Sequence, residues 1–220
     1  MYPSIELGKN EVDLWEVALD VSGEVAEKFV AILSAEEVVR MARFVEPQAA
    51  RQYAISRGSL RGILSRYLGK PTKDIVFTTT GDGKPALAAP NSSGFEFNTS
   101  HSGALALIGV TRGRPIGVDV EQVRKIPKAV QLAERFFSGA EYRMLCDLPE
   151  EERSPAFLSI WVSREGNAKA QGLSVWHGLA KMETSERWTV VSIDLGAGYV
   201  GAVVAAGTDW RVVRRGMLEE

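Results

Sequence analysis

The stretch Gly117-Val118-Asp119-Val120-Glu121 combines a β-strand pattern with two acidic side chains. Side chains alternate between the faces of a strand, so Asp119 and Glu121 point one way while Val118 and Val120 point into the core. Two carboxylates about 7 Å apart on one strand repel each other unless a cation lies between them. Their oxygen atoms are hard ligands of the kind that Mg²⁺ prefers. Taken alone, the stretch is compatible with a magnesium site, but such acidic pairs are common and more often form a solvated face that binds nothing.

Strands and helices follow one another in blocks on both sides of this strand. Before it, the patterns predict the following elements: a strand over 12–19, helices over 34–44 and 48–68, and strands over 75–80, 95–98 and 104–111. After it, they predict these: helices over 128–135, from Ser138 onward and over 151–171, and a hairpin over 188–194 and 199–205. Such runs predict an α+β fold with antiparallel sheets. Each half has a long helix and a few strands, which predicts two similar subdomains, 1–113 and 114–220.

The composition of the 220 residues excludes several classes of protein. Apolar residues make up 45% and charged residues 25%, as in soluble globular proteins. The formal charge of −2 provides no general attraction for nucleic acid or an anionic membrane. Cys146 is the only cysteine, which excludes an internal disulfide and suits a reducing compartment. Without a signal-peptide pattern or a run of ~20 apolar residues, we expect a cytoplasmic protein.

The predicted long helix carries a second set of polar residues. Trp161, Glu165 and Lys169 are spaced by four residues and share one helix face, with Trp161 as the packing anchor. Glu165 and Lys169 could form only a surface ion pair. Alternatively, Glu165 completes the metal site or accepts a proton, and Lys169 neutralises a phosphate. The spacing does not choose between these interpretations.

A third polar segment, Asn98-Thr99-Ser100-His101-Ser102-Gly103, joins two predicted strands. Its small hydroxyl groups, amides and histidine suit a phosphate cradle. The neighbouring Ser100 and His101 also suggest a hydrolase. Adjacent residues on a strand face opposite ways, however, whereas a catalytic triad requires mutual contact. The segment therefore favours phosphate binding over hydrolysis, although a lone histidine such as His101 more often has a structural role.

Several short motifs occur in a fixed order along the chain. They are R-x-x-L-R (57–61), G-K-P (83–85), F-N-x-S-H-S-G (97–103), G-V-D-V-E (117–121), F-F-S-x-x-E (136–141) and W-x-x-R-E-x-x-x-K (161–169). Together they resemble the Sfp-type 4′-phosphopantetheinyl transferases. The resemblance implies a pseudo-twofold monomer of two similar α/β subdomains, with coenzyme A in the cleft between them. It implies transfer of 4′-phosphopantetheine from coenzyme A to a serine of an apo acyl or peptidyl carrier protein.

The resemblance also implies roles for individual residues. Mg²⁺ on the pyrophosphate would be held by three carboxylates: Asp119, Glu121 and Glu165. The catalytic residues would be Glu165, Lys169 and Asp119, with Lys169 at the phosphate under attack or at the leaving group. Coenzyme A would be bound by five further residues: its phosphates by Arg57, Lys84 and His101, with Pro85 and Ser100 lining the same pocket.

The last motif departs from the family pattern. Arg164 replaces the usual lysine, and Gly166, Asn167 and Ala168 replace a small, an aromatic and a larger apolar residue. Glycine inside a helix costs about 1 kcal/mol relative to alanine, so we expect either a looser helix or smaller neighbours. The alternatives to a transferase are a catalytically weakened coenzyme A-binding homologue, another Mg²⁺-dependent phosphohydrolase, and a plain interaction module.

Overall fold

The chain folds as two successive blocks of strands and helices, and the computed structural model describes residues 4–80, 84–89, 94–173, 187–196 and 198–216. The first block contains β1 (Glu11–Ala18), α1 (Gly23–Ala31), α2 (Ala35–Met41), α3 (Pro47–Leu68), β2 (Phe77–Thr79), β3 (Pro85–Leu87), β4 (Phe95–Ser102) and β5 (Leu105–Arg112). The second contains β6 (Ile116–Gln122), α4 (Ala129–Phe136), α5 (Gly139–Asp147), α6 (Glu150–Ala170), β7 (Trp188–Asp194), β8 (Tyr199–Ala206) and β9 (Arg211–Arg215).

The two blocks repeat one arrangement of strands. In the first sheet, β4, β5 and β1 lie side by side and are antiparallel; in the second, β7, β8 and β6 do the same. Each block also places a short helix with a capping box, α2 or α5, before its long helix, α3 or α6. This repeat confirms the predicted α+β, pseudo-twofold fold. The exact division at 113/114 stays a prediction.

The hydrophobic core lies in layers. One cluster fills the space between α3 and the first sheet and includes Ile55, Ile63, Phe97 and Ile108. A second joins the two sheets and includes Leu14 of β1, Leu107 of β5, and Val118, Val120 and Val203 from the second sheet. Val118 and Val120 therefore point into the core as predicted, which turns Asp119 and Glu121 toward α6.

Most predicted elements are confirmed, but three were missed: α1, the short strand β3 and β9. Helix α1 begins after Ser22, whose side chain accepts a hydrogen bond from the Val25 amide, and it lies in a segment that the sequence analysis left unassigned. Strand β9 is short and charged, and it pairs in parallel with β1, about two hundred positions earlier in the chain. Local patterns do not encode such a distant partner. The sequence also predicts a turn over 81–85; positions 81–83 lie outside the described residues, and Pro85 begins β3.

Within the described ranges, no helix combines the length and apolar character that crossing a bilayer requires.

Candidate active site between the two halves

Polar side chains join β4 to the acidic strand β6. Asn98 Oδ1 accepts a hydrogen bond from the Val118 amide at 2.9 Å, and Ser100 Oγ donates to Asp119 Oδ1 at 2.6 Å. Ser102 Oγ donates to Glu121 Oε2 at 2.7 Å. Sequence reasoning missed Asn98 and Ser102 as partners of the acidic strand. Their signal was the two-residue spacing of 98, 100 and 102, which places all three side chains on one face.

Asp119 is the centre of this junction. Only 2% of the residue is exposed, so its strand face is not the solvated surface of the alternative interpretation. Lys169 Nζ lies 2.6 Å from Asp119 Oδ1 and also donates to Ser100 Oγ at 3.0 Å. Among the described residues, no hydrogen-bond donor reaches the buried Asp119 Oδ2. This oxygen is therefore available to a further ligand.

Glu165 joins the junction from α6. Burial raises the pKa of its carboxyl group to about 8, and the charge of Asp119, a hydrogen bond between the two carboxyl groups and the charge of Glu121 act in the same direction. Lys169 opposes them. The negative charges of Asp119 and Glu121 thus make it harder for Glu165 to ionise. The structure brings Asp119, Glu165 and Lys169 together, whereas Oε2 of Glu121, on the same strand face, also accepts a hydrogen bond from Arg124 at 2.7 Å. The roles assigned to these residues stay predictions.

The carboxylate oxygens of these residues suit a divalent cation, although they do not by themselves form a complete set of metal ligands. In the part of the chain that the structure describes, no three His, Cys, Asp or Glu side chains are already arranged around one point as metal ligands. The unpaired Asp119 Oδ2 and the raised pKa of Glu165 show an excess of negative charge that a cation would relieve. Mg²⁺ commonly takes one or two carboxylates and completes its sphere with water and phosphate. These residues therefore fit Mg²⁺.

Two glycines allow α6 to approach β6 closely. A Cβ atom on Gly117 would lie 1.9 Å from the carbonyl oxygen of Gly166, so only glycine fits at 117. A Cβ atom on Gly166 would lie 3.0 Å from Val204 Cγ2. Gly166, Asn167 and Ala168 are all buried. The small neighbour Gly117 accounts for the close packing at Gly166, and whether this stretch is looser than in relatives stays a prediction.

Arg164 points away from the acidic junction, the group of side chains formed by Asp119, Glu121, Glu165 and Lys169. It is 4% exposed, forms an ion pair with Glu141, and donates to the Phe136 carbonyl at 3.2 Å. Glu141 is the capping-box residue of α5. Arg164 therefore ties α6 to the start of α5.

A groove of about 710 Å³ runs along the first half of the molecule. Arg57, Pro85 and His101 line it, and its lining contains four basic side chains (Arg40, Arg57, Arg61 and Lys73) against two acidic ones (Glu36 and Glu37). His101 faces this groove while the adjacent Ser100 bonds to Asp119. The two residues thus face opposite ways, as the argument against a hydrolase required. Ser100 lies on the side of the acidic junction.

Lys84 connects the two halves. Its ammonium group donates to the carbonyl oxygens of Ile116 at 2.9 Å and Lys169 at 3.1 Å. Burial lowers the pKa of Lys84; the charge of Glu96 opposes this shift, and that of Lys169 adds to it. Because the Lys169 carbonyl lies in the last turn of α6, Lys84 stabilises the end of the helix that carries Glu165 and Lys169.

Comparisons with known proteins identify the family. A family model described as 4′-phosphopantetheinyl transferase, N-terminal, matches residues 22–112, and one for the 4′-phosphopantetheinyl transferase superfamily matches residues 115–201. The chain belongs to the 4′-phosphopantetheinyl transferase superfamily.

Its relatives include three bacterial 4′-phosphopantetheinyl transferases. HetI of Nostoc is 34% identical over 225 residues, which cover 95% of this chain and 93% of the relative. The psf-1 protein of Bacillus pumilus is 32% identical over 70% of this chain and 64% of its own length. Sfp of Bacillus subtilis is 30% identical over 69% of this chain and 66% of its own length.

Proposed function

We propose that this protein transfers the 4′-phosphopantetheine group of coenzyme A to a serine of an apo acyl or peptidyl carrier protein and releases adenosine 3′,5′-bisphosphate. The superfamily membership and the names of HetI and Sfp support the transfer reaction. We further propose that the reaction depends on Mg²⁺.

One observation carries the proposal: Asp119, Glu165 and Lys169 lie together beside a basic groove, with Glu121 close by on the same strand face. Asp119 is buried and pairs with Lys169, while the Glu165 carboxyl group lies against Asp119. A purely structural ion pair would not need two more acids beside it. A diphosphate with a bound cation would be neutralised by this combination of charges.

The chain's residues have distinct tasks in the proposed reaction. The carrier serine oxygen attacks the β-phosphorus of coenzyme A, a new P–O bond forms, and the bond to the departing bisphosphate breaks. Glu165 is the proposed acceptor of the hydroxyl proton, directly or through a water, because its carboxyl group lies beside Asp119 and Lys169 at the phosphate site. Lys169 neutralises charge that grows on the phosphate oxygens. Mg²⁺, held by Asp119, Glu121 and Glu165, would supply further positive charge to the pyrophosphate.

The basic groove is the proposed site for the remainder of coenzyme A. Arg57 and His101 would bind its phosphates, with Pro85 in the wall. Lys84 and Ser100 each adjoin a groove residue in sequence and lie toward the acidic junction. We propose that both residues contact coenzyme A where it passes from the groove to the acidic junction.

The remaining proposals concern the setting of the reaction. We propose that the protein acts as a monomer in the cytoplasm, since its single cysteine, Cys146, suits a reducing compartment. Its carrier belongs to fatty acid, polyketide or nonribosomal peptide biosynthesis.

The test is a transfer assay with coenzyme A, Mg²⁺ and a panel of apo carriers from these three kinds of pathway. We expect at least one carrier to gain the mass of phosphopantetheine. Phosphate release from coenzyme A without a carrier would instead indicate a phosphohydrolase. Binding of coenzyme A without modification of any carrier would indicate the inactive homologue.

A further inference from the structure

Glu37 is a buried acid in the wall of the basic groove, and sequence analysis gave it no role beyond starting a helix. Its Oε1 atom accepts a hydrogen bond from Arg57 Nε at 2.5 Å, and its Oε2 atom accepts one from Arg61 Nε at 2.6 Å. Oε2 also accepts from the Ser34 amide at 2.9 Å, which completes the capping box of α2. One carboxylate thus joins the start of α2 to two arginines of α3.

These contacts fix the guanidinium group of Arg57. Its carbon atom lies 3.8 Å from the centre of the Phe77 ring, so the group is held on one side by an aromatic face and at Nε by Glu37. In the described residues, the two terminal nitrogens of Arg57 have no hydrogen-bond partner. A planar guanidinium held at Nε presents these two nitrogens as a fork that matches a phosphate.

The charges of the cluster favour an anion. Glu37 is shared between two arginines, so one of the two positive charges is not balanced by it. Arg61 is 3% exposed and also donates to the carbonyl groups of Thr72 and Ile75, at 2.8 and 2.9 Å. Arg61 therefore stabilises the fold through these hydrogen bonds. The positive charge that Glu37 does not balance lies with Arg57, which lines the groove.

We propose that Glu37 is a positioning residue, which holds Arg57 in the orientation that binds a phosphate of coenzyme A. The inference rests on the proposed function, because it assigns coenzyme A to the groove. Glu37 itself contacts no substrate and acts through Arg57.

The second half of the molecule contains a related contact with a different purpose. Glu141 completes the capping box of α5 and pairs with Arg164 of α6. Arg164 is buried and binds the Phe136 carbonyl. This pair ties two helices together without lining the groove, so Glu141→Gln is a matched structural control for Glu37→Gln.

The experiment measures kcat and the KM for coenzyme A in full-length wild type, Glu37→Gln, Arg57→Ala and the double variant. We expect Glu37→Gln to raise KM about tenfold with little change in kcat, the size typical of losing an orienting partner. In the Arg57→Ala background, Glu37→Gln should raise KM no further, because it acts through that arginine. Glu141→Gln should leave KM unchanged although it lowers the melting temperature.

Two results would overturn the inference. One is an unchanged KM in Glu37→Gln, and the other is an equal further rise of KM in the double variant. If Glu37→Gln does not fold, Glu37→Asp replaces it: this variant keeps the charge but is too short to reach both arginines, and the same rise in KM is expected. If the wild type modifies no carrier, the proposed function fails separately, and the dissociation constant of coenzyme A measured by calorimetry takes the place of KM.

Discussion

At the scale of single residues, the account rests on Asp119 more than on any other side chain. Asp119→Asn keeps the size of the side chain and removes its charge. We expect the transfer rate to fall by about a hundredfold or more, as when a preorganised electrostatic contact is removed from an active site. Steady-state kinetics and a thermal melt would show lost activity with the fold retained.

The matched control for Asp119→Asn is Asp147→Asn, at the exposed end of α5. This variant should transfer at the wild-type rate. Comparable losses in the two variants would mean that Asp119 has no special role.

Lys84 gives a second test among single residues. Lys84→Met removes a buried ammonium group that binds the carbonyl oxygens of Ile116 and Lys169. We expect the free energy of unfolding to fall by about 2 kcal/mol, because two buried carbonyls lose a charged donor. Urea unfolding measures this loss, and the exposed Lys73→Met serves as the control. A variant of unchanged stability would contradict the contact between the two halves.

The sequence identified the chemical groups of the site better than their contacts. Asp119 and Glu121 were predictable because a strand places alternate residues on one face. Glu165 and Lys169 were predictable from helix spacing. The contact of Lys84 with the end of α6 could not be predicted, nor could that of Glu37 with Arg57. Each contact joins elements whose relative position depends on tertiary packing.

At the scale of elements, the distance between α6 and β6 decides whether Glu165 reaches Asp119. Gly117→Ala would place a methyl group 1.9 Å from the Gly166 carbonyl oxygen, and the backbone atoms there cannot turn aside. We expect a loss of several kcal/mol in stability, since a forced separation of packed elements costs more than the 1–3 kcal/mol typical of overpacking. Thermal unfolding and the transfer rate should both fall.

Gly139→Ala is the control for the glycine test. Its nearest new neighbour would be the end of the flexible Arg143 side chain at 3.5 Å, within the first turn of α5. Alanine there should be neutral or slightly stabilising. If both substitutions proved neutral, α6 and β6 would not be in contact as described.

The elements themselves were largely predictable from sequence, and the reasons are physical. The capping boxes at Ser34 and Ser138 set the starts of α2 and α5, and both are present in the structure. Strand β9 lies at the edge of the first sheet and was missed because its only partner among the described strands, β1, is remote in sequence. Its Arg215 pairs with the buried Asp13, an interaction that only the folded chain creates.

At the scale of the whole molecule, Glu37 and Glu141 connect short and long helices in both halves and link stability to pH. Burial raises the pKa of each carboxyl group, but hydrogen bonds outweigh it and hold the pKa below its ordinary value of 4.5. The hydrogen bonds to Glu37 come from Arg61, Ser34 and Arg57, and those to Glu141 come from Arg164 and Ser138. Near and below pH 4.5 the unfolded chain therefore binds more protons than the folded one.

Both carboxylates therefore stabilise the fold at neutral pH and stop doing so in acid. The stabilisation is fully present above pH 4.5 and is lost as the pH falls through the lower pKa values of the folded state. Urea unfolding at neutral pH and about one unit below 4.5 should show this loss in the wild type. The double variant Glu37→Gln, Glu141→Gln should be less stable at neutral pH and should lose less on acidification, while Glu134→Gln behaves as wild type. An unchanged pH dependence in the double variant would contradict the assignment.

The most direct test of the central claim is a titration with Mn²⁺ as a paramagnetic substitute for Mg²⁺, followed by electron paramagnetic resonance in the presence of coenzyme A. The account predicts one bound ion per wild-type chain and loss of that ion in Asp119→Asn and Glu165→Gln, with Asp147→Asn unaffected. Equal binding of the ion by the wild type and both of these variants would show that the carboxylates between the two halves do not hold the metal.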